Sequence, residues 1–93
     1  MAVIPDNDAD YHDWLDANQS GLVLNSDKRR TNPNYPMLHG SQCFHINDKN
    51  WPNYTTADYM KVCSLDRNDL EAWARRDRRK MTFCKHCIRR GYI

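Results

Sequence analysis

Cys84 and Cys87 stand three positions apart in the stretch CKHC, and the 93-residue chain has only two other cysteines, Cys43 and Cys63. A two-residue gap lets both thiolates face one ion at about 2.3 Å while backbone amides between them donate to sulfur. A structural zinc ion takes four ligands, so this pair needs two more. The expected set is Cys43, Cys63, Cys84 and Cys87, with His39, four positions before Cys43, as the alternate ligand for one of the upstream pair. Buried cysteine also serves as a small hydrophobe, which is the competing role for Cys43 and Cys63. A redox pair fits less well, because a redox CxxC opens a helix after a strand in a βαβ unit and no such unit is legible.

His39 and His45, with Asn47 close by, raise a second chemistry. In HNH nucleases one histidine activates water beside a divalent ion held by its neighbours. The helix read downstream, Leu70 to Asp77, carries neither the histidine nor the asparagine that would close such a site. Structural or nucleic-acid-contacting roles therefore take precedence, and no catalytic residue is assigned.

The third pattern is electrostatic. Net charge is only +2, yet residues 1–48 hold three cations against seven aspartates, and residues 49–93 hold eleven cations against five acids. Lys28, Arg29 and Arg30 share a loop with Asn32, Asn34 and Tyr35; Arg75, Arg76, Arg78, Arg79, Lys80, Lys85, Arg89 and Arg90 follow with one acid, Asp77, among them. Clustered cations of this kind neutralise phosphates, so these residues are the expected nucleic-acid contacts, DNA before RNA. A solvated surface is the alternative, since arginines late in a helix also suit its dipole.

These groups need a scaffold, and a chain of this length makes a thin core that gains from a metal staple. Ten aromatics argue for a folded interior. No eighteen-residue apolar run exists and the opening MAVIPDNDADY lacks the pattern of a secretory signal, so the expected compartment is the cytoplasm, where thiols stay reduced. Residues 1–9 read as a flexible acidic lead and 10–93 as one zinc-stapled domain. Tyr11, Trp14 and Leu15 predict a short helix capped by Asp10. LVLN (Leu22 to Asn25) and MLH (Met37 to His39) predict strands, and the segment around Cys43, Phe44 and Ile46 is left between strand and helical turn. NDKNWPNYTT is turn-rich, DYMKVCS alternates as a strand, and SLDRNDLEAWARRD predicts a helix capped by Asp66 or Ser64. The fold class is α+β: a small antiparallel sheet, two short helices and a C-terminal zinc knuckle.

DWLDANQSGLVLN, MLHGSQCFHI, YTTADYMKVCSLDRNDLEAWA and CKHC together resemble a small zinc-cysteine module found alone or beside HNH-type restriction endonucleases in prokaryotes. The likeness spans roughly residues 11–87 and falls on Trp14 with Asn18, Gly21 to Asn25, Leu38 to Cys43, Lys61 to Cys63, and Cys84 with Cys87. It implies nucleic-acid recognition linked to restriction or phage–host functions, with a nuclease as a protein partner and no cutting by this chain. The expectation is a monomeric zinc-stabilised nucleic-acid-binding accessory module. A regulatory zinc domain that binds protein through Tyr35, Trp51 or Tyr54 is the alternative, and an HNH-like nuclease a more distant one.

Overall fold

Alternation decides the centre of the fold. The computed structural model describes residues 1–51, 53–56 and 58–93 and contains helix α1 (Asp8–Ala17), strands β1 (Leu22–Asp27), β2 (Met37–Gly40) and β3 (Tyr59–Ser64), helix α2 (Arg67–Arg76), strand β4 (Thr82–Phe83) and helix α3 (Lys85–Arg90). The sheet order is β3-β1-β2-β4. β1 pairs antiparallel with both neighbours, whereas β4 joins β2 in parallel, so the sheet is mixed and not the wholly antiparallel one expected. The parallel pair arises because the chain crosses under the sheet through α2 before returning to the β2 edge. Pro52, in the turn-rich stretch, and Ala57 lie outside the described residues.

Register sorts the side chains onto two faces. Leu24, Leu38 and Val62 share one face and pack against Leu70 and Ala74 of α2. Asp66 caps that helix by accepting from the Asn68 amide at 2.9 Å, and Ser64 Oγ accepts from the Asp66 amide at 3.0 Å. Arg75 and Arg76 fall in its last turn, where the helix dipole favours cations.

The other face carries Cys63, Val23 and His39 in one row, and Lys61, Asn25 and Met37 in the next. Tyr11 and Leu15 of α1 cover the first row together with Ile46. The Tyr11 hydroxyl donates to the Ile46 carbonyl at 2.6 Å, which ties α1 to the segment after Cys43. That segment is neither strand nor helix; it is a pair of turns closed by Cys43 N–H to Gly40 O (3.0 Å) and Ile46 N–H to Cys43 O (3.1 Å).

Three expectations change in detail: the start of α1, the N-terminal lead and the number of helices. α1 starts earlier than its apolar spacing suggests, because Asn7 Oδ1 accepts from the Asp10 amide at 2.8 Å and takes the capping role expected of Asp10. The lead is also docked at Val3, whose N–H and C=O both bond to Cys63 at 2.8 Å on the β3 edge. A third helix, α3, follows directly from Cys84. Among the described residues no helix is long and apolar enough to cross a membrane.

Candidate metal centre and the basic groove beside it

Four ligand atoms, one each from His39, Cys43, Cys84 and Cys87, lie within 4.8 Å of one another, and all four residues are buried. Tetrahedral zinc thiolates space their ligand atoms by roughly 3.5–3.8 Å, so the group is close to a closed ligand shell. Each arm is positioned by local structure. His39 is the penultimate residue of β2, and the turn that follows swings Cys43 back over it. Cys84 is fixed to β2 by its N–H bond to the Leu38 carbonyl at 3.1 Å and stands at the start of α3. Cys87 sits one helical turn on, so both cysteines of CKHC face the same point.

Burial raises the Cys43 and Cys87 thiols, since a thiolate without a counter-charge is disfavoured in this interior. Burial also lowers His39 to about 4, followed by repulsion from His45 and Lys61, leaving it a neutral imidazole able to donate a lone pair to a metal. The Gly40 amide donates to Cys87 Sγ at 3.4 Å, the kind of outer contact that steadies a metal-bound thiolate. All four cysteines are free, and the buried His/Cys3 group fits a metal site.

Cys63 is not part of it. Val23 pairs with His39 on one side and with Cys63 on the other, so the two residues are two strands, or about 10 Å, apart. Cys63 is instead a fully buried core residue whose thiol burial pushes up to about 12. His39, the alternate in the expected set, stands in the cluster where Cys63 does not.

Gly40 has a packing role at this centre. A Cβ built there meets Tyr92 Cβ at 2.5 Å and the Tyr92 carbonyl at 2.8 Å, while the Tyr92 amide bonds to the Cys87 carbonyl at 2.9 Å. Gly40→Ala should therefore push the segment after α3 off β2, at a cost of about 1–3 kcal/mol. Thermal melts and chelator competition should register this as lower stability together with faster metal loss. Unchanged behaviour in both would remove the packing role.

His45 and Asn47 stand beside the cluster on the turn after β2. The Asn47 side-chain amide donates to the Ser41 carbonyl at 2.8 Å and braces the turn. His45 is exposed at the rim, its Nδ1 3.5 Å from Cys43 Sγ and its ring 4.1 Å from that of Phe44.

The cations divide. Arg79 is spent inside the fold: Nη1 meets Asp27 Oδ1 at 2.5 Å and Nη2 donates to the Asn32 carbonyl at 2.8 Å. Arg29 pairs with Asp58 at 3.0 Å, Arg30 with Asp77 at 3.5 Å, and Lys28 Nζ lies 3.4 Å from the Thr55 carbonyl. Arg75, Arg76, Arg78, Lys80, Lys85, Arg89 and Arg90 are exposed and have no acidic partner among the described residues.

Two hollows link part of this set to the metal centre. One, of about 500 Å³, is lined by His39, His45 and His86, by Asn25 and by Lys85 and Arg89. A smaller one, of about 240 Å³, holds Arg30, Arg79 and Lys80. They share Asn32 and Tyr35, so a single basic groove runs from Lys80 past the 32–35 loop to Arg89. Sequence reasoning missed Asn25 and Lys61 on this face. The signal was present, since Lys61 alternates with Cys63 and so points to the same side as a core residue.

Compared with known proteins, the chain matches no family model, no curated protein and no solved structure.

Proposed function

We propose that the chain is a zinc-stapled nucleic-acid-binding module in which the metal is structural and the groove beside it holds the phosphate backbone. Three thiolates and one imidazole form a soft donor set that suits zinc, and four protein ligands leave no open position for substrate. The observation that carries the binding half is the groove itself. Lys80, Lys85 and Arg89 line it without acidic partners among the described residues, and the amide side chains of Asn32 and Asn34 lie between them. Cations position a backbone, and amides make hydrogen bonds to sugar, phosphate or base edges. An accessory role beside a restriction nuclease, implied by the resemblance to zinc-cysteine modules, is consistent with a chain that binds without cutting.

Fluorescence-anisotropy titration against duplex DNA, single-stranded DNA and RNA at several salt concentrations tests this. Log affinity should fall with log salt at about −0.9 per phosphate contacted, or roughly −3 to −4.5 for three to five contacts. Replacing Lys80, Lys85 and Arg89 by alanine should flatten that slope by up to ~3 and weaken binding to all sequences alike. Arg79 is left out of the set because its guanidinium is committed to Asp27. Binding no tighter than ~10⁻⁴ M at low salt would defeat the proposal, since even non-specific binders hold there. The exposed Phe44, Trp51 and Ile88 would then make protein recognition the better reading.

A further inference from the structure

The basic groove has an inner end that phosphate binding does not use. Asn25 and Lys61 are cross-strand partners on β1 and β3, and their side chains stand side by side on the sheet face next to the metal row. A third hollow, of about 220 Å³, opens over them and is walled by Tyr35, Tyr59, Tyr54 and Trp51. It shares Asn25, Tyr35 and His45 with the larger hollow that holds Lys85 and Arg89. The larger hollow alone falls within the ~300–1,000 Å³ typical of small-ligand sites.

The polar groups at this end are underused. Lys61 is 98% buried yet, among the described residues, its ammonium donates only to the Tyr54 carbonyl, at 2.5 Å. The remaining N–H groups sit among the rings of Tyr11, Tyr54 and Tyr59, whose centroids are 5.6–5.9 Å from Nζ. Asn25 Oδ1 is buried and has no hydrogen-bond partner among the described residues. A buried donor and a buried acceptor left open beside each other are costly unless something completes them.

The arrangement is held in place. Asp8, in the first turn of α1, accepts from the Asn53, Tyr54 and Thr55 amides at 2.9, 3.2 and 2.8 Å and so fixes the loop that brings Tyr54 over Lys61. The Tyr54 hydroxyl in turn accepts from the Asp48 amide at 2.9 Å, which steadies the turn leading to Trp51.

We propose that this end of the groove takes one unstacked nucleobase, its ring against Tyr35 and Trp51 and its edge on Asn25 and Lys61, with the attached phosphate on Lys85 and Arg89. The occupant follows from what the walls offer. Aromatic faces stack any base, an adjacent acceptor and donor match a base edge, and cations at the open end match a phosphate. A base paired within a duplex cannot present its edge this way, so the preferred partner is single-stranded nucleic acid or a base turned out of a duplex. The inference rests on the phosphate-binding reading above, and the experiment separates the two.

The test compares three fluorescein-labelled probes of about 12 nucleotides, within the range one small domain covers: mixed-sequence single-stranded DNA, its RNA counterpart, and an abasic strand of equal length with an intact phosphate backbone. Loss of the bases should weaken binding to the unaltered protein by about 5–150-fold, the range that stacking on aromatic side chains produces. Trp51→Ala, at a position 68% exposed, and Asn25→Ala should each shrink that difference without changing the salt slope. Equal affinity for abasic and intact strands would overturn the base site while leaving the phosphate reading standing. No binding to any probe would overturn both. The first comparison needs no variant, so a misfolded mutant cannot obscure the outcome.

Discussion

Cys87→Ser should release the metal and unfold the domain, and His39→Ala should do the same. Structural zinc contributes on the order of 10 kcal/mol or more to folding at neutral pH, whereas the whole stability of a small domain is about 5–15 kcal/mol. A serine at position 87 loses a thiolate and leaves three ligands around the ion, in a core that is thin without it. The unaltered protein should carry about one zinc per chain by elemental analysis. Excess chelator should collapse its near-ultraviolet circular dichroism signal. Cys63→Ala is the informative control. It removes one buried sulfur from the Tyr11 and Leu15 cluster and should cost only about 1 kcal/mol, with metal content unchanged. Loss of metal in Cys63→Ala, with retention in His39→Ala, would reverse the ligand assignment. Full stability of Cys87→Ser in chelator would remove the metal staple altogether.

Arg79→Met should destabilise the protein by about 3–5 kcal/mol, because it strands Asp27 as a buried charge. The Asp27 and Arg79 side chains are only 8% and 12% exposed. For a domain of this size such a loss lowers Tm by roughly 15 °C or more. Burial opposes ionisation of Asp27, but bonds from the Asn32 and Thr31 amides, both 2.9 Å, and from Arg79 outweigh it, bringing the carboxyl down to about 2. A folded value below the ordinary one, about 3.9, means that ionised Asp27 favours folding above about pH 4. That contribution is lost as pH falls through 2, and it amounts to about 2–3 kcal/mol. Acid denaturation should therefore steepen between pH 4 and 2 in the unaltered protein and less so in Asp27→Asn. Chemical denaturation across that window measures it. A stability that does not change between pH 4 and 2, or an Arg79→Met as stable as the parent, would show that the pair is not coupled to folding. Asp27 also accepts from the loop that carries Asn32, so Arg79→Met should loosen one wall of the groove without subtracting a phosphate contact.

The sequence alone determined the elements whose signals are local. CxxC geometry is set within one turn of chain, so the pairing of Cys84 with Cys87 was legible from their spacing. The alternation of Tyr59 to Cys63 and the capped, acid-first pattern of α2 needed only neighbours a few positions away. The excess of cations after Arg75 was equally plain, as was the need of a short chain for a staple. What lay beyond reach was long-range. Three candidates, His39, Cys43 and Cys63, competed for two ligand places, and nothing local ranks them. Strand order decides which of them stand near Cys84 and Cys87, because β1 inserts between β2 and β3 and puts Val23 between His39 and Cys63. The same holds for charge. Composition counts Arg79 with the other cations, and only the approach of β1's end to the segment after α2 withdraws it into a buried ion pair with Asp27. Asn25 and Lys61 became a pair for the same reason, since residues 36 positions apart meet through register alone.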